Sequence, residues 1–447
     1  MKKILIVGAR KSGIYAALLA KKQGFEPFVT ENSDGNEFEK PKIMLRKNNI
    51  EFEFGIHSFD KIKNFEMAVI SPGVPLQTKI VKEIEKYRIP YIGEMEFAYK
   101  TTSTTQIISI TGTNGKSTTT ALTGNIFHYI PCNSITGGNL GTPYSELLLN
   151  NPNPDIAILE TSCFQLETIE DFHPKVSVFL NFSEDHLNRY KDMEEYLKYK
   201  KRIFKNQIST DFAVLNADDT ISKRLEKDIN SKIFYFSMIN PVQKGVFLEN
   251  NKIIFKNEEK EEEIISIESI RLLGKHNISN VLAAILSAKL LKIDNETIKK
   301  GIETFEGLPH RLEKVRELDG ISYINDSKAT TPDSTMQALN AFHSKIILIV
   351  GGSSKNNDFT ELARLFPNKL RKLVVIGETA AEIANNAIDQ GFNNIVFAST
   401  LEKAVELAKK IAHQGDTILL SPACASFDMF KDFEDRGDKF KKIVNSL

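Results

Sequence analysis

The sequence predicts an α/β protein built from about three successive domains, and three observations carry that expectation. Short β-branched runs recur along the chain, each followed by a loop and a helical pattern: Lys3–Val7, Met67–Ile70, Ile107–Thr111, Ile156–Glu160, Val176–Asn181, Phe212–Asn216, Ile346–Val350, Leu373–Gly377 and Thr417–Leu420. The runs are continuously apolar instead of alternating, which suits parallel strands covered by helices on both faces. The length of 447 residues corresponds to roughly three domains of ordinary size. Finally, a fresh strand–loop–helix cycle starts near Gln106, and another follows the Gly/Pro punctuation at Glu306-Gly307-Leu308-Pro309.

Composition excludes several classes. Lys+Arg and Asp+Glu both number 58, so no clustered excess of positive charge points to nucleic acid or an anionic membrane. With 41% hydrophobic and 26% charged residues, the chain is not globally disordered. Cys132, Cys163 and Cys424 are odd in number, widely spaced and form no CxxC pair; reduced thiols and a cytoplasmic location are expected. The first apolar run is cut after Val7 by Gly8, Arg10 and Lys11, too early for a signal peptide. No stretch approaches the ~18 apolar residues of a membrane span. The charge run Lys256–Glu263 reads as a solvated loop or edge hairpin.

Taken in order, the first strand runs into Gly8-Ala9-Arg10-Lys11-Ser12-Gly13. Arg10 replaces the middle glycine of a GxGxxG loop, which argues against the close backbone approach a dinucleotide pyrophosphate needs. The strongest signal is Ile107–Thr120, IISITGTNGKSTTT. A buried strand leads into Gly112-Thr113-Asn114-Gly115-Lys116-Ser117, and a helix is expected to begin at the lysine. Glycines let backbone N–H groups turn inward around phosphate oxygens, and the helix N-terminus adds partial positive charge. Lys116 is placed to reach β- and γ-phosphates, and Ser117 or Thr118 to hold Mg²⁺ through a hydroxyl. A mere tight turn leaves the lysine and the hydroxyls behind it unexplained. By itself the loop says only that the chain uses ATP or GTP.

The next strand ends in Glu160, where a carboxylate suits a Mg²⁺ ligand, though a helix N-terminal charge is also compatible. The strand Val176–Asn181 runs on to His186, whose neutral imidazole can ligate a cation or relay protons. Farther on, Arg311 reads as either a surface charge or an anion contact. Lys328 in Asn325–Thr330, Lys355 in Gly351–Lys355 and the Ser421–Asp428 segment occupy small polar strand-end loops, where backbone can approach an anion closely. Together with the phosphate loop, these imply two anionic ligands.

Seven blocks carry a resemblance: GTNGKST at 112–118, LETSCFQLE at 159–167, NFSEDHLNRY at 181–190, GKHNISN at 274–280, GLPHRLE at 307–313, NDSKAT at 325–330 and LSPACASFD at 420–428. In this order, over essentially the whole chain, they resemble the Mur ligases. NDSKAT and SPACASFD look most like the branch that adds D-glutamate, and the DNPR-like motif of the diaminopimelate- or lysine-adding branch is not found.

The resemblance implies three consecutive α/β domains: an N-terminal Rossmann-like UDP-binding domain (1–93), a central phosphate-loop ATPase-like domain with a mostly parallel sheet (94–307), and a C-terminal Rossmann-like domain for D-glutamate (308–447). It implies an ATP-dependent amide ligase of cytoplasmic peptidoglycan precursor synthesis, acting on UDP-N-acetylmuramoyl-L-alanine through an acyl phosphate, and a monomer. Residue by residue, Gly112, Thr113, Asn114, Gly115, Lys116, Ser117 and Thr118 match the ATP phosphate loop. Asn277, Asn280 and Arg311 match adenine, ribose and phosphate contacts, and Asp326 a ribose ligand. Two Mg²⁺ ions are implied, with Ser117, Thr118 and Glu160 at the first and His186 at the second. Lys200 matches a lysine carbamylated by CO₂, which turns a cation into an anionic ligand; without the family, solvated helix-face lysines would be the better reading of Lys200 and Lys201. Lys116, Lys200 and His186 are thus the catalytic candidates. Lys11, Ser12, Ser71, Pro72 and Gly73 are expected at the uridine diphosphate, and Asn139 and Ser162 at the muramoyl-alanine part. Thr330, Lys355, Ser426 and Phe427, with Lys328 nearby, are expected around D-glutamate.

Three rivals stand beside this reading. A folylpolyglutamate-type ligase shares the chemistry, a phosphate-loop switch or motor shares the loop, and a nicotinamide dehydrogenase would use Gly8–Gly13. Arg10 and the central phosphate loop speak against the last.

Overall fold

The structure, a computed structural model, describes residues 2–102, 105–186, 189–342, 344–354 and 357–447. It forms two compact units, one of residues 1–270 and 278–305, the other of 271–277 and 306–447.

The first unit holds two sheets. Strands β1 (Lys3–Val7), β2 (Glu26–Glu31), β3 (Glu51–Phe54), β4 (Met67–Ile70) and β5 (Tyr91–Gly93) lie in the order β3-β2-β1-β4-β5, all parallel. The larger sheet contains β6 (Gln106–Thr111), β7 (Ser134–Gly138), β8 (Ile156–Glu160), β9 (Val176–Phe179), β10 (Phe212–Asn216), β11 (Lys232–Ser237), β12 (Gly245–Glu249), β13 (Lys252–Lys256) and β14 (Glu261–Ser266). Its order is β14-β13-β12-β11-β10-β9-β6-β8-β7. Strands β6, β8 and β9 are fully buried apart from Gln106, as their unbroken apolar runs require. Because β6 lies between β8 and β9, the loops leaving their C-terminal ends are neighbours.

One apolar cluster runs through both sheets of this unit. It includes Ala16, Ala17, Leu19 and Ala20 of the helix Lys11–Lys22, Met95 and Phe97 of the helix Glu94–Lys100, and Tyr144 and Leu148 of the helix Tyr144–Asn150. The helix Lys11–Lys22 can sit this close to β1 only because residue 13 is glycine: a Cβ there would run into the Gly8 carbonyl.

The second unit has β15 (Glu313–Leu318), β16 (Ile321–Asn325), β17 (Ile346–Val350), β18 (Leu370–Val375), β19 (Ile395–Phe397) and β20 (Thr417–Leu420) in the order β15-β16-β20-β17-β18-β19. Only the β15–β16 pair is antiparallel. The loops after β16, β20 and β17 again emerge side by side.

Two strand expectations shift. The third run of the central sheet ends at Phe179, not Asn181, because Asn181 turns its side chain onto the phosphate loop. The run placed at Leu373–Gly377 is Leu370–Val375; Gly377 has φ +73°, outside the extended region. The charge run Lys256–Glu263 is the turn of an edge hairpin, where Lys256 pairs with Glu261. Among the described residues no helix is long and apolar enough to cross a membrane.

Candidate active site

The phosphate loop has the backbone its sequence requires. Gly112 and Gly115 take φ of +156° and +84°, values that a side chain would strain. Gly115 caps a helix that starts at Lys116 and runs to Phe127. Asn181, two residues past the end of β9, locks the loop: its Oδ1 accepts from Asn114 N at 2.8 Å, its Nδ2 donates to Asn114 O at 3.1 Å, and its own carbonyl accepts from Thr113 N at 3.0 Å. Asn280 flanks the loop on another side, where its Oδ1 accepts from Thr119 Oγ1 at 3.3 Å and leaves no room for a Cβ on Gly115.

Lys116 Nζ donates to the carbonyls of Gly112 (2.9 Å) and Thr113 (2.8 Å). Lys200, at the end of the helix Met193–Lys200, reaches the same Gly112 carbonyl at 2.9 Å. Its side chain is only 1% exposed and its ammonium lies 4.8 Å from the Tyr196 ring centroid. Burial, reinforced by the neighbouring Lys116 charge, pushes its pKa down to about 7. This is no solvated helix-face lysine.

Glu160 ends β8 with its side chain buried. Asn139 Nδ2 donates to Glu160 Oε1 at 2.7 Å, while Glu160 Oε2 has no hydrogen-bond partner. Among the described residues no three His, Cys, Asp or Glu side chains converge as a metal cluster. A cation here would instead draw on Glu160, the hydroxyls of Ser117 and Thr118, and nucleotide phosphates. That oxygen-rich donor set fits Mg²⁺.

His186 sits on the third strand-end loop at φ +57°. Its ring packs on Phe164, with centroids 4.7 Å apart, and edge-on to Tyr196 at 5.8 Å. Burial, with Lys116, Lys200 and Arg189 adding to it, lowers its pKa against the opposing pull of Asp185. The imidazole is therefore neutral near pH 7 and able to ligate or relay. The fold thus brings Lys116, Lys200, Glu160 and His186 to one end of the central sheet.

Beside this cluster lies a cavity of about 530 Å³ lined by Lys11, Ser12, Ser71, Pro72, Gly73 and Asn139 together with Arg10 and Gln165. Six residues expected at the uridine diphosphate and muramoyl-alanine ends therefore share one hollow. Lys11 Nζ lies 2.7 Å from Gly141 O and 2.9 Å from Glu146. An adjoining cavity of about 360 Å³ shares Gly8, Gly73 and Val74 and is bounded by Glu31, His57 and Lys79. Ser162 is a helix cap: its hydroxyl accepts from Gln165 N at 3.3 Å, and Gln165 Oε1 accepts from Ser162 N at 2.9 Å.

In the second unit Asp326 is buried, accepting from Ser421 Oγ at 2.8 Å and Leu312 N at 3.2 Å, and burial raises its pKa to about 7. Arg311 adds its charge to the surroundings of both Asp326 and His276, and Asn277 Nδ2 donates to Leu273 O at 2.7 Å. Lys328 lies over the Phe433 ring at 5.7 Å, and Thr330 N donates to Lys328 O. Ser426 is buried, whereas Phe427 is 70% exposed. Lys355 lies outside the described residues.

Sequence reasoning missed three groups. Asn181 follows directly on the apolar run Val176–Leu180, and its pattern alone extends the strand through it. Arg189 forms a two-pronged pair with Glu167 (3.0 and 2.6 Å), covers the Phe164 ring at 4.3 Å and donates to Pro72 O at 3.1 Å, so it ties the His186 loop to the cavity wall. Arg436 gave no signal beyond being one arginine on an amphipathic helix.

Comparison with known proteins follows the same outline. Residues 110–288 match the Mur ligase middle domain, and residues 310–424 match the Mur ligase glutamate ligase domain. The UDP-N-acetylmuramoylalanine–D-glutamate ligases of Alkaliphilus metalliredigens and Clostridioides difficile are 41% and 42% identical, covering all of this chain and 98% and 99% of their own lengths. Among solved structures, the UDP-N-acetylmuramate–alanine ligase of Thermotoga maritima superposes with a TM-score of 0.62 at 20% identity, covering 100% of this chain and 99% of its own. A pseudomurein peptide ligase type C from Methanothermus fervidus gives 0.60 at 21% identity, with both chains fully covered. At such identities these two structures speak to the fold.

Proposed function

This chain belongs to the Mur ligase family, and from that premise we infer that it joins D-glutamate to UDP-N-acetylmuramoyl-L-alanine in an ATP-dependent step of peptidoglycan precursor synthesis. The observation that supports this chemistry best is the buried Lys200 amine bonded to the phosphate loop, with Glu160 and His186 at the two flanking strand ends.

A carboxylate is a poor electrophile, and phosphorylation supplies the leaving group. An oxygen of the L-alanyl carboxylate attacks the γ-phosphorus of ATP, the bond to ADP breaks, and an acyl phosphate forms. The neutral amine of D-glutamate then attacks the acyl carbon, inorganic phosphate departs, an amide remains, and the amine gives up a proton. Both partners of the first step are anions, so the site has to offset their repulsion. Lys116 exchanges its loop carbonyls for phosphate oxygens. Gly112–Gly115 cradle the phosphates by backbone N–H, fixed by Asn181. Mg²⁺ held by Ser117, Thr118 and Glu160 would neutralise phosphate charge. Asn139 aims the Glu160 carboxylate by occupying one of its oxygens. Arg189 and Asn139 set the wall of the cavity in which the UDP-sugar lies, with Lys11, Ser12 and Ser71–Gly73 around the diphosphate.

Lys200 is the residue whose environment is most at odds with its ordinary chemistry. A pKa near 7 leaves a large share of neutral amine at neutral pH, and only the neutral amine combines with CO₂. As a carbamate it would offer anionic oxygens to a second Mg²⁺, for which His186 would supply a neutral nitrogen. Asn277 and Asn280 serve the nucleotide's base and sugar and Arg311 and Asp326 its phosphate and ribose, while Thr330, Lys328, Lys355, Ser426 and Phe427 surround D-glutamate. The protein acts in the cytoplasm as a monomer, with the 1–93, 94–307 and 308–447 segments serving UDP, ATP and D-glutamate in turn.

The test is ADP release with UDP-N-acetylmuramoyl-L-alanine, comparing D-glutamate, L-glutamate and meso-diaminopimelate. D-glutamate should stimulate strongly and the other two weakly. Stimulation by a folate with L-glutamate, and none by the muramoyl substrate, would move the chain to the folylpolyglutamate-type reading.

A further inference from the structure

Arg436 heads the fully buried side chains of the described residues by size. It lies on the helix Phe433–Asn445, whose N-terminus is capped by Asp432. Its guanidinium donates Nε to Ser327 Oγ (2.9 Å), Nη2 to Ser327 O (2.9 Å) and Cys424 O (3.1 Å), and Nη1 to Ala425 O (3.3 Å). Among the described residues its partners are these oxygens and no carboxylate. Ala425 O also accepts from Ser353 N at 2.9 Å, and a Cβ on Gly352 would lie 3.2 Å from Nη1.

The fork therefore bonds the loops after β16 and β20 directly and is linked to the loop after β17 through Ala425 O, which it shares with Ser353 N. An apolar side chain of similar volume would fill the space without desolvating a charge. It would not hold the loop backbones in register, nor place a positive charge beneath them. Arg suits this because its planar donors are pre-arranged and it stays charged when buried. We propose that Arg436 is a positioning residue for the amino-acid substrate, holding the three loops so that their polar groups and backbone meet a dianionic amino acid. This rests on the reading that these loops take D-glutamate.

Steady-state kinetics of Arg436→Lys, which keeps the charge but cannot span four acceptors, test it. KM for D-glutamate should rise about tenfold or more while KM for ATP and for the UDP-sugar stays within roughly twofold. With hydroxylamine replacing D-glutamate, the acyl phosphate is trapped as a hydroxamate, and that rate should stay within roughly twofold as well. An unchanged KM for D-glutamate overturns the proposal. So does an equal fall of both reactions, which marks Arg436 as packing alone. Should R436K not fold, Ser327→Ala removes only the Nε acceptor and should raise the same KM about threefold; no rise overturns the proposal. Thr330→Ala reads the site itself. If T330A raises KM for D-glutamate and R436K does not, Arg436 is wrongly assigned; if neither does, the placement of D-glutamate in these loops fails.

Discussion

Lys200 and Arg436 are both buried cations, 1% and 0% exposed, and each sits beneath strand-end loops of its own unit. Their surroundings differ in kind. Among the described residues Lys200 has a single hydrogen bond, to Gly112 O, with an aromatic face beside it and another lysine nearby. Arg436 has four to described residues, all to oxygens of the loops above it. Burial drives Lys200 to about 7 and Arg436 only to about 10, so one discharges at neutral pH and the other does not. A buried cation that can lose its proton is available for chemistry. One that cannot is available for architecture.

Exchanging the two side chains for inert ones should separate these jobs. Lys200→Ala should cut ligase turnover by roughly 10³-fold or more, about 4 kcal/mol of barrier, and change denaturant stability little, since it removes a poorly solvated amine. Arg436→Met should do the reverse in proportion. It strands the carbonyls of Ser327, Cys424 and Ala425 and should lower unfolding stability by roughly 2–5 kcal/mol. Near-normal turnover in K200A, or undiminished stability in R436M, would break the comparison.

A smaller effect sharpens it from the acidic side. Burial raises the Asp326 carboxyl to about 7 against the hydrogen bonds from Ser421 and Leu312. Between the ordinary carboxylate range and about pH 7, the folded chain keeps a proton that the unfolded chain has released, so stability falls as pH rises through that window. Asp326→Asn cannot ionise. Its thermal midpoint relative to wild type should therefore move upward between about pH 4 and about pH 8, and a constant difference would contradict the raised value.

The parts of this picture legible in the sequence are those set by local pattern. Unbroken runs such as Ile346–Val350 reported strands buried on both faces, and Gly112 and Gly115 reported a loop that takes the positive φ values glycine allows, ahead of a helix that begins at Lys116. The adjacency of the Glu160 and His186 loops followed from both leaving strands beside β6. What was not legible is what depends on contacts distant in sequence. Lys200 reads as one more lysine in YKKRIF until the fold buries it 88 residues away from Gly112. Arg436 meets Ser327 across a separation of 109 residues, and no spacing rule announces that. Ser162 is instructive in another way: its hydroxyl caps the short helix Cys163–Leu166, a role its place in the block does not announce.

The most direct test of the account uses ¹³C-bicarbonate with the purified protein. A carbamate carbonyl resonance on Lys200 should appear above about pH 7, grow with activity as bicarbonate is added, and be missing in Lys200→Ala. Full activity of the wild-type chain with no such resonance, or the same resonance persisting in K200A, would contradict it.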